Sequence, residues 1–299
     1  MSPRIERAFE DLQRAGRKAL VAYLCVGDPS LEESADLAEA AVAAGADILE
    51  LGVPFSDPTA DGPAIARASQ RAIRAGATIT RVIEIAARIR ARVAAPLVLF
   101  GYYNPIAVTG EERVITLARD AGVDALLVVD LPPEEGQGLR AAARAAGMAI
   151  IPLITPTTDP ARALRVIHPA GTTTGDSRPA LSATPNADPG PTVIRAAASQ
   201  GFIYYVAVTG VTGSSQAGHA QASREAAGLR DRFGLPVVVG FGIDGAASAR
   251  EAAGPREGGA SGIVVGTALV KAIEGASTPT SRRAAVQSLL GELRGALDG

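Results

Sequence analysis

The 299-residue chain predicts an α/β fold, with parallel strands inside and helices outside. Three observations carry that expectation. Short apolar, β-branched runs alternate with alanine-rich amphipathic segments along the whole chain, which is the pattern of βα units. Eight such units can be counted, the number that closes into a (β/α)8 barrel. The residues with chemistry cluster directly after the strand runs, where barrels place their sites. An open, doubly wound sheet is the alternative that the same alternation allows. Length alone would favour two domains, but α/β barrels reach this size as one, so one domain over residues 1–299 is expected.

The elements read in order. MSPRIERAFEDLQRAGRKAL is charged and amphipathic, a helix that would cover the barrel floor. The first strand is Ala19 to Cys25. GDPS follows, with Ser30 placed to cap a helix that opens at Leu31. The second strand, Asp47 to Leu51, runs into a long loop. Helical sequence then extends from Ile65 to about Val93, broken near Gly76. The third strand, Pro96 to Phe100, leads into GYYNPI, and the fourth, Ala125 to Val129, into DLPPEE. The fifth, Ala149 to Leu153, leads into TPTTDP. The sixth, Phe202 to Val206, leads into VTGVTGSSQAG. The seventh, Pro236 to Val239, leads into GFGI, and the eighth, Gly262 to Val265, into GTALV. Helices close the chain near Leu297.

Two segments interrupt this rhythm. His168 to Ile194 is rich in Pro, Gly, Thr, Ser and Ala and has no apolar period, the composition of a loop. Without it, Ala161 to Ile167 would join Arg195 to Gly201 as one helix, ARALRVIRAAASQG. Residues 168–194 therefore read as an insertion within the helix between the fifth and sixth strands. GPREGG, Gly254 to Gly259, reads as a lengthened surface loop.

Composition removes several function classes. The net charge is −2 with 20% charged residues and no Lys/Arg run, so nothing points to nucleic acid. Apolar residues make up 47% and the mean hydropathy is +0.19, enough for a large core. No window approaches a membrane span. The single cysteine, Cys25, excludes an internal disulfide and favours a reducing compartment; with the lack of a secretory apolar stretch near the N-terminus, the chain is expected to be cytoplasmic. One cysteine and two distant histidines, His168 and His219, leave a metal site without ligands. GxxxxGK[ST] is missing, which removes nucleotide hydrolysis. No lysine stands in a strand-end motif, which argues against a Schiff-base aldolase.

The informative stretch is LELGVPFSDPTADGPAI, Leu49 to Ile65. Glu50 ends an apolar run, and desolvation there raises a carboxyl pKa towards the range useful for proton transfer. Asp61 follows in a loop stiffened by Pro54, Pro58 and Pro63, so it can be held across a pocket from Glu50. A second constellation is glycine-rich. Gly240, Gly242 and Gly266 follow the last two strands, Thr267 opens a helix, and Gly213 lies in a third loop. Such loops let backbone N–H groups approach a phosphate. Aromatic residues are scarce, with six Phe, five Tyr and no Trp. Tyr23, Tyr102, Tyr204 and Phe241 all fall at or near C-terminal strand ends, where an apolar pocket for a flat ring would need them.

LELGVPFSDPTADGP resembles, almost continuously, the signature of the tryptophan synthase α subunit family. GFGI, VVGTALV and VTG are also similar to family segments, and the likeness covers essentially the whole chain outside His168 to Ile194 and the short glycine-rich addition. The resemblance implies a (β/α)8 barrel that cleaves indole-3-glycerol phosphate to indole and glyceraldehyde 3-phosphate. It implies that Glu50 is the catalytic acid/base and that Asp61 assists at the indole nitrogen. Tyr23, Tyr102, Tyr204 and Phe241 would line or adjoin the indole pocket. Gly213, Gly242, Gly266 and Thr267 would bind the phosphate, and Thr212 would position the catalytic Asp from a mobile loop. The family usually has Ser where Thr267 stands and commonly Phe where Tyr23 stands. No cofactor is implied in this chain; pyridoxal phosphate would belong to a β subunit, in an α2β2 assembly. The alternatives are a stand-alone indole-releasing lyase, a catalytically silent allosteric barrel and another phosphate-binding barrel enzyme.

Overall fold

A computed structural model describes residues 3–132, 134–158, 160–167, 201–206, 215–240 and 242–299. The described elements run α1 (Pro3–Arg14), β1 (Ala19–Cys25), α2 (Leu31–Ala43), β2 (Ile48–Gly52), α3 (Pro63–Arg74), α4 (Ile79–Arg90) and β3 (Leu97–Gly101). There follow α5 (Tyr103–Thr109), α6 (Glu111–Asp120), β4 (Ala125–Val128), α7 (Gln137–Ala145), β5 (Ala149–Ile150), β6 (Leu153–Ile154) and α8 (Pro160–Ile167). The last group is β7 (Ile203–Val206), α9 (Ser215–Phe233), β8 (Val237–Gly240), α10 (Ala246–Ala253), β9 (Gly262–Val265), α11 (Thr267–Glu274) and α12 (Pro279–Asp298).

The strands form one sheet in the order β5-β4-β3-β2-β1-β9-β8-β7-β6, with every pair parallel. Its two edges, β5 and β6, are the halves of the single fifth strand expected from sequence. Pro152 has no N–H to donate, so the ladder breaks there. The same segment nevertheless bonds both neighbours: Ile151 N–H donates to the Leu126 carbonyl at 2.8 Å, and the Pro152 carbonyl accepts from Tyr204 N–H at 2.9 Å. Chain continuity across Ile151 and Pro152 thus closes the curled sheet, the TIM-barrel arrangement.

Three strands end one residue later than the sequence suggests, each on a glycine: Gly52, Gly101 and Gly240. Glycine in a strand usually signals a turn, but here it makes room. A Cβ at Gly52 would strike the Tyr23 hydroxyl, and one at Gly240 the Tyr204 hydroxyl.

Alternation sends one set of side chains to each face of the sheet. Val21, Ile48, Val98, Leu127, Val238 and Val264 fill the barrel interior, while a larger apolar layer lies between strands and helices. The helix α1 closes the floor with Ile5, Phe9 and Leu12, spaced along one face; the Phe9 and Phe202 rings lie 5.6 Å apart. Ser30 caps α2 by accepting from Glu33 N–H at 3.3 Å. The helical stretch after the second strand is split into α3 and α4, with Gly76 at φ +84 and Thr78 capping α4. GYYNPI, read only as a strand exit, opens the short helix α5.

α8 is the first half of the helix read as interrupted; the insertion 168–194 itself lies outside the described residues. In the GPREGG loop residues 255–258 are exposed, as expected, but its ends are pinned by buried Lys18, whose Nζ donates to the carbonyls of Ala253, Pro255 and Ala260. No described helix is long and apolar enough to cross a membrane.

Candidate active site

Glu50 sits on β2 two residues after Ile48, so it faces the barrel interior. In register it stands beside Tyr23 on β1 and Val98 on β3. It is 0% exposed, and among the described residues neither carboxylate oxygen has a hydrogen-bond partner. Burial alone pushes its pKa up to about 8, so at neutral pH the group is held largely as the neutral acid.

Three rings surround this position. Phe100 meets Tyr23 edge-on at 5.3 Å and lies 6.5 Å from Tyr204. Desolvation holds both tyrosine hydroxyls well above their ordinary pKa, and the charges of Glu50 and Asp61 add to the shift at each. The two carboxylates therefore act on the same pair of hydroxyls, which places them at one site. The tyrosines stay neutral, able to donate.

Asp61 lies in the loop between β2 and α3, half-buried. The loop is stiff for a reason beyond its prolines: Asp61 N–H donates to the Pro58 carbonyl at 3.1 Å, and Thr59 N–H to Asp57 at 2.9 Å. Pro63 is the first residue of α3, a position where its missing N–H costs nothing. Tyr102, at the start of α5, braces the loop. Its hydroxyl donates to the Asp61 carboxylate and accepts from Ala60 N–H at 2.9 Å, and its ring packs on Phe55 at 5.1 Å. Desolvation raises the Asp61 pKa, and the Tyr102 bond opposes that shift. Tyr102 is thus at the site, but its hydroxyl is engaged by the loop.

Sequence reasoning missed a second brace. Asp28, in the GDPS turn after β1, is buried and takes both Nε and Nη2 of Arg71 at 2.7 and 2.9 Å. Arg71 lies on α3, so this fork ties the helix that follows Asp61 to the turn after β1. Arg71 also reaches Glu274 at the end of α11. The available signal was an acid in a strand-end turn, but nothing in sequence named its partner.

The glycine constellation falls at the ends of β8 and β9. Gly242 has φ +69, and buried His219 on α9 packs behind it, 3.1 Å from where a Cβ would stand. Gly266 caps α11 with no side-chain bond, and Thr267 is that helix's first, exposed residue. The start of α10 is already occupied: Ser248 takes the N–H groups of Asp244 and Gly245, and Glu292 takes that of Ala246. The helix start at α11 is therefore the better place for an anion, where oriented N–H groups favour negative charge. Thr212, Gly213 and Phe241 lie outside the described residues.

A closed parallel barrel, with an unpartnered acid and a helix N-terminus at the C-terminal strand ends, defines a (β/α)8-barrel enzyme. Comparison with known proteins narrows the class. The family model described as Tryptophan synthase alpha chain matches residues 9–173 and 182–297, passing over 174–181 within the segment read as an insertion. The chain is 43% identical over 298 residues to a tryptophan synthase alpha chain from Xanthomonas oryzae pv. oryzae, covering 99% of this chain and 98% of that one. It is 41% identical over 271 residues to the alpha chain from Geobacter sulfurreducens, covering 91% and 90%. A crystal structure of the alpha chain from Legionella pneumophila aligns with a TM-score of 0.77 at 31% identity, over 99% of this chain and 97% of that one. A Mycobacterium tuberculosis tryptophan synthase structure aligns with a TM-score of 0.78 at 29% identity. The chain belongs to the tryptophan synthase alpha chain family. It is an indole-3-glycerol-phosphate lyase, of a family that uses no cofactor; pyridoxal phosphate belongs to the β subunit.

Proposed function

We propose that Glu50 is the proton-transfer residue of the retro-aldol cleavage of indole-3-glycerol phosphate, and that Asp61 is its electrostatic partner. The observation that carries this reading is a carboxyl group wholly inside the barrel, without a partner, beside two neutral tyrosine hydroxyls. With a pKa of about 8, Glu50 begins as the acid. It gives its proton to indole C3, which makes the ring an electron sink. As a carboxylate it then removes the proton from the side-chain hydroxyl next to C3. The C–C bond breaks, its electron pair returns to the ring, the hydroxyl carbon becomes the aldehyde, and Glu50 is protonated again. During the first step positive charge develops at the ring N–H, and Asp61, held by Tyr102, accepts from it.

The rings of Tyr23, Phe100 and Tyr204 form the apolar walls for the indole, with Phe241 added from the resemblance. Gly242, Gly266 and Thr267 hold the phosphate, together with Gly213, and Thr212 positions Asp61. The chain works as one barrel domain, interrupted in sequence by the insertion 168–194. It acts in the cytoplasm, paired with a pyridoxal-phosphate β subunit in an α2β2 assembly that consumes the indole.

The test is to incubate the purified chain with indole-3-glycerol phosphate and measure indole release, with and without a β subunit. Release that rises with β supports the paired enzyme. Equal release in both would make this a stand-alone lyase, and no release in either would make it a silent barrel.

A further inference from the structure

We propose that the Tyr23 hydroxyl determines specificity for the substrate's glycerol chain: it donates to the hydroxyl on the middle carbon, the one that the cleavage does not consume. The proposal rests on the reading of the site given above, with the indole at Glu50 and the phosphate at Gly266 and Thr267.

Position comes first. β1 is the strand between β2 and β9, so it lies between the acid and the start of α11. Tyr23 is in register with Glu50 on one side. On the other side, a Cβ on Gly266 would stand 3.6 Å from the Tyr23 Cβ. A ligand that spans from Glu50 to Gly266 therefore crosses Tyr23. The side chain leans towards the mouth. Its hydroxyl lies against Gly52, where a Cβ would strike it. Gly52 is two residues beyond Glu50 on β2, on the same face and about 6–7 Å further along the strand. The hydroxyl is thus held above the acid, at the level where the chain leaving the indole ring would run.

Hydrogen bonding comes next. Tyr23 is 5% exposed, and among the described residues no group hydrogen-bonds its hydroxyl. Both Glu50 oxygens are likewise without a partner, so the acid does not take the phenol's proton. Tyr102 is the contrast, because its hydroxyl is used by the Asp61 loop. A phenol enclosed by the Phe100 ring and Gly52, and not bonded by the protein, is where a ligand's polar group belongs. The reaction selects that group. Two hydroxyls lie between indole C3 and the phosphate. The one next to C3 gives its proton to Glu50 and becomes the aldehyde. The other is not consumed, and Tyr23, kept neutral, donates to it. A site built to bond a hydroxyl discriminates against the analogue that lacks it.

The test measures indole release by the full chain and by Tyr23→Phe from two substrates. One is indole-3-glycerol phosphate. The other lacks only the middle hydroxyl, 3-hydroxy-3-(indol-3-yl)propyl phosphate. It keeps the reacting hydroxyl, so the same steps cleave it to indole and 3-oxopropyl phosphate. In the parent chain kcat/KM is expected to be about five- to tenfold higher for indole-3-glycerol phosphate, the worth of about one hydrogen bond. Tyr23→Phe should lose about five- to tenfold on that substrate and less than about twofold on the analogue, so that the preference disappears. A loss as large on the analogue, no loss on either, or a parent chain without preference would each overturn the proposal and leave the lyase reading standing. The parent's preference decides even if the variant does not fold. Indole release by the parent chain from neither substrate would overturn both.

Discussion

Among the described residues, buried charge at the floor of the barrel is paired throughout, whereas the mouth pairs Asp28 with Arg71 and leaves Glu50 alone. At the N-terminal end, Lys18 is buried against three carbonyl groups. Asp47 accepts from Leu20 N–H at 2.8 Å and from Arg294 at 3.0 Å. Asp124, 2% exposed, accepts from Arg4, Arg90 and Leu97 N–H at 2.9 to 3.2 Å. At the C-terminal end Glu50 is buried more completely than any of these and has no partner among the described residues. A satisfied buried charge holds elements together. An unsatisfied one destabilises the empty site and is retained because it is used. The contrast assigns stability to the floor and chemistry to the mouth, the usual division in barrels.

The largest expected effect that could break this contrast is at the floor. Asp124→Ala leaves the Leu97 N–H without its acceptor and takes the carboxylate from Arg90, whose guanidinium keeps only the carbonyls of Gly122, Val93 and Ala95; it should cost about 3 kcal/mol, the low end of the range for breaking a buried pair. Denaturant unfolding measures it. The rate of indole release at temperatures where the variant is folded should stay near that of the parent chain; a rate that collapses with stability would remove the distinction between the ends.

Next is the pH dependence of stability. The folded pKa of Glu50 is raised from the ordinary 4.5 to about 8, so the folded chain keeps the proton longer than the unfolded chain. The stability contributed by the neutral acid is complete below about pH 4.5 and is lost as pH rises through about 8, at about 1.4 kcal/mol per unit. Glu50→Gln has nothing to titrate, so its Tm should gain on the parent's across that interval. A pH-independent difference would show that Glu50 is charged in the folded chain.

Tyr102→Phe sharpens the account of Asp61. It removes one hydroxyl that both donates to Asp61 and accepts from Ala60 N–H, and should lower kcat by about tenfold, the worth of about one such bond. Glycerol phosphate binding should be unchanged, and a loss confined to KM would place Tyr102 in substrate binding instead. The smallest effect is expected from joining Ile167 directly to Arg195. α8 starts near the catalytic face, and two turns later its chain is on the outer flank. Long surface insertions cost little closure entropy, so kcat/KM, alone and with β, should change by less than about tenfold. A larger loss in a folded variant would make residues 168–194 functional.

What was legible in the sequence was whatever local pattern determines. Glu50 at the end of an apolar run and Asp61 among prolines were readable because burial and stiffness are written into neighbouring residues. What was not legible depends on contacts across the barrel. Gly52 and Gly240 look like turns but remain in strands, because the rings of Tyr23 and Tyr204 need the space of a missing Cβ. Tyr102 was placed at the pocket by resemblance, and its use by the Asp61 loop followed only from the loop's path. Asp28 and Arg71, 43 residues apart, carry no local mark of their pairing. The split of the fifth strand could have been read from Pro152.

The central claim, that Glu50 is left unpartnered in order to move protons, is tested most directly by measuring kcat and Tm together in Glu50→Gln. The expected result is a loss of at least about 10²-fold in indole release, with a Tm at neutral pH equal to or above that of the parent chain. Turnover near the parent's, in a variant that folds and binds glycerol phosphate normally, would contradict it.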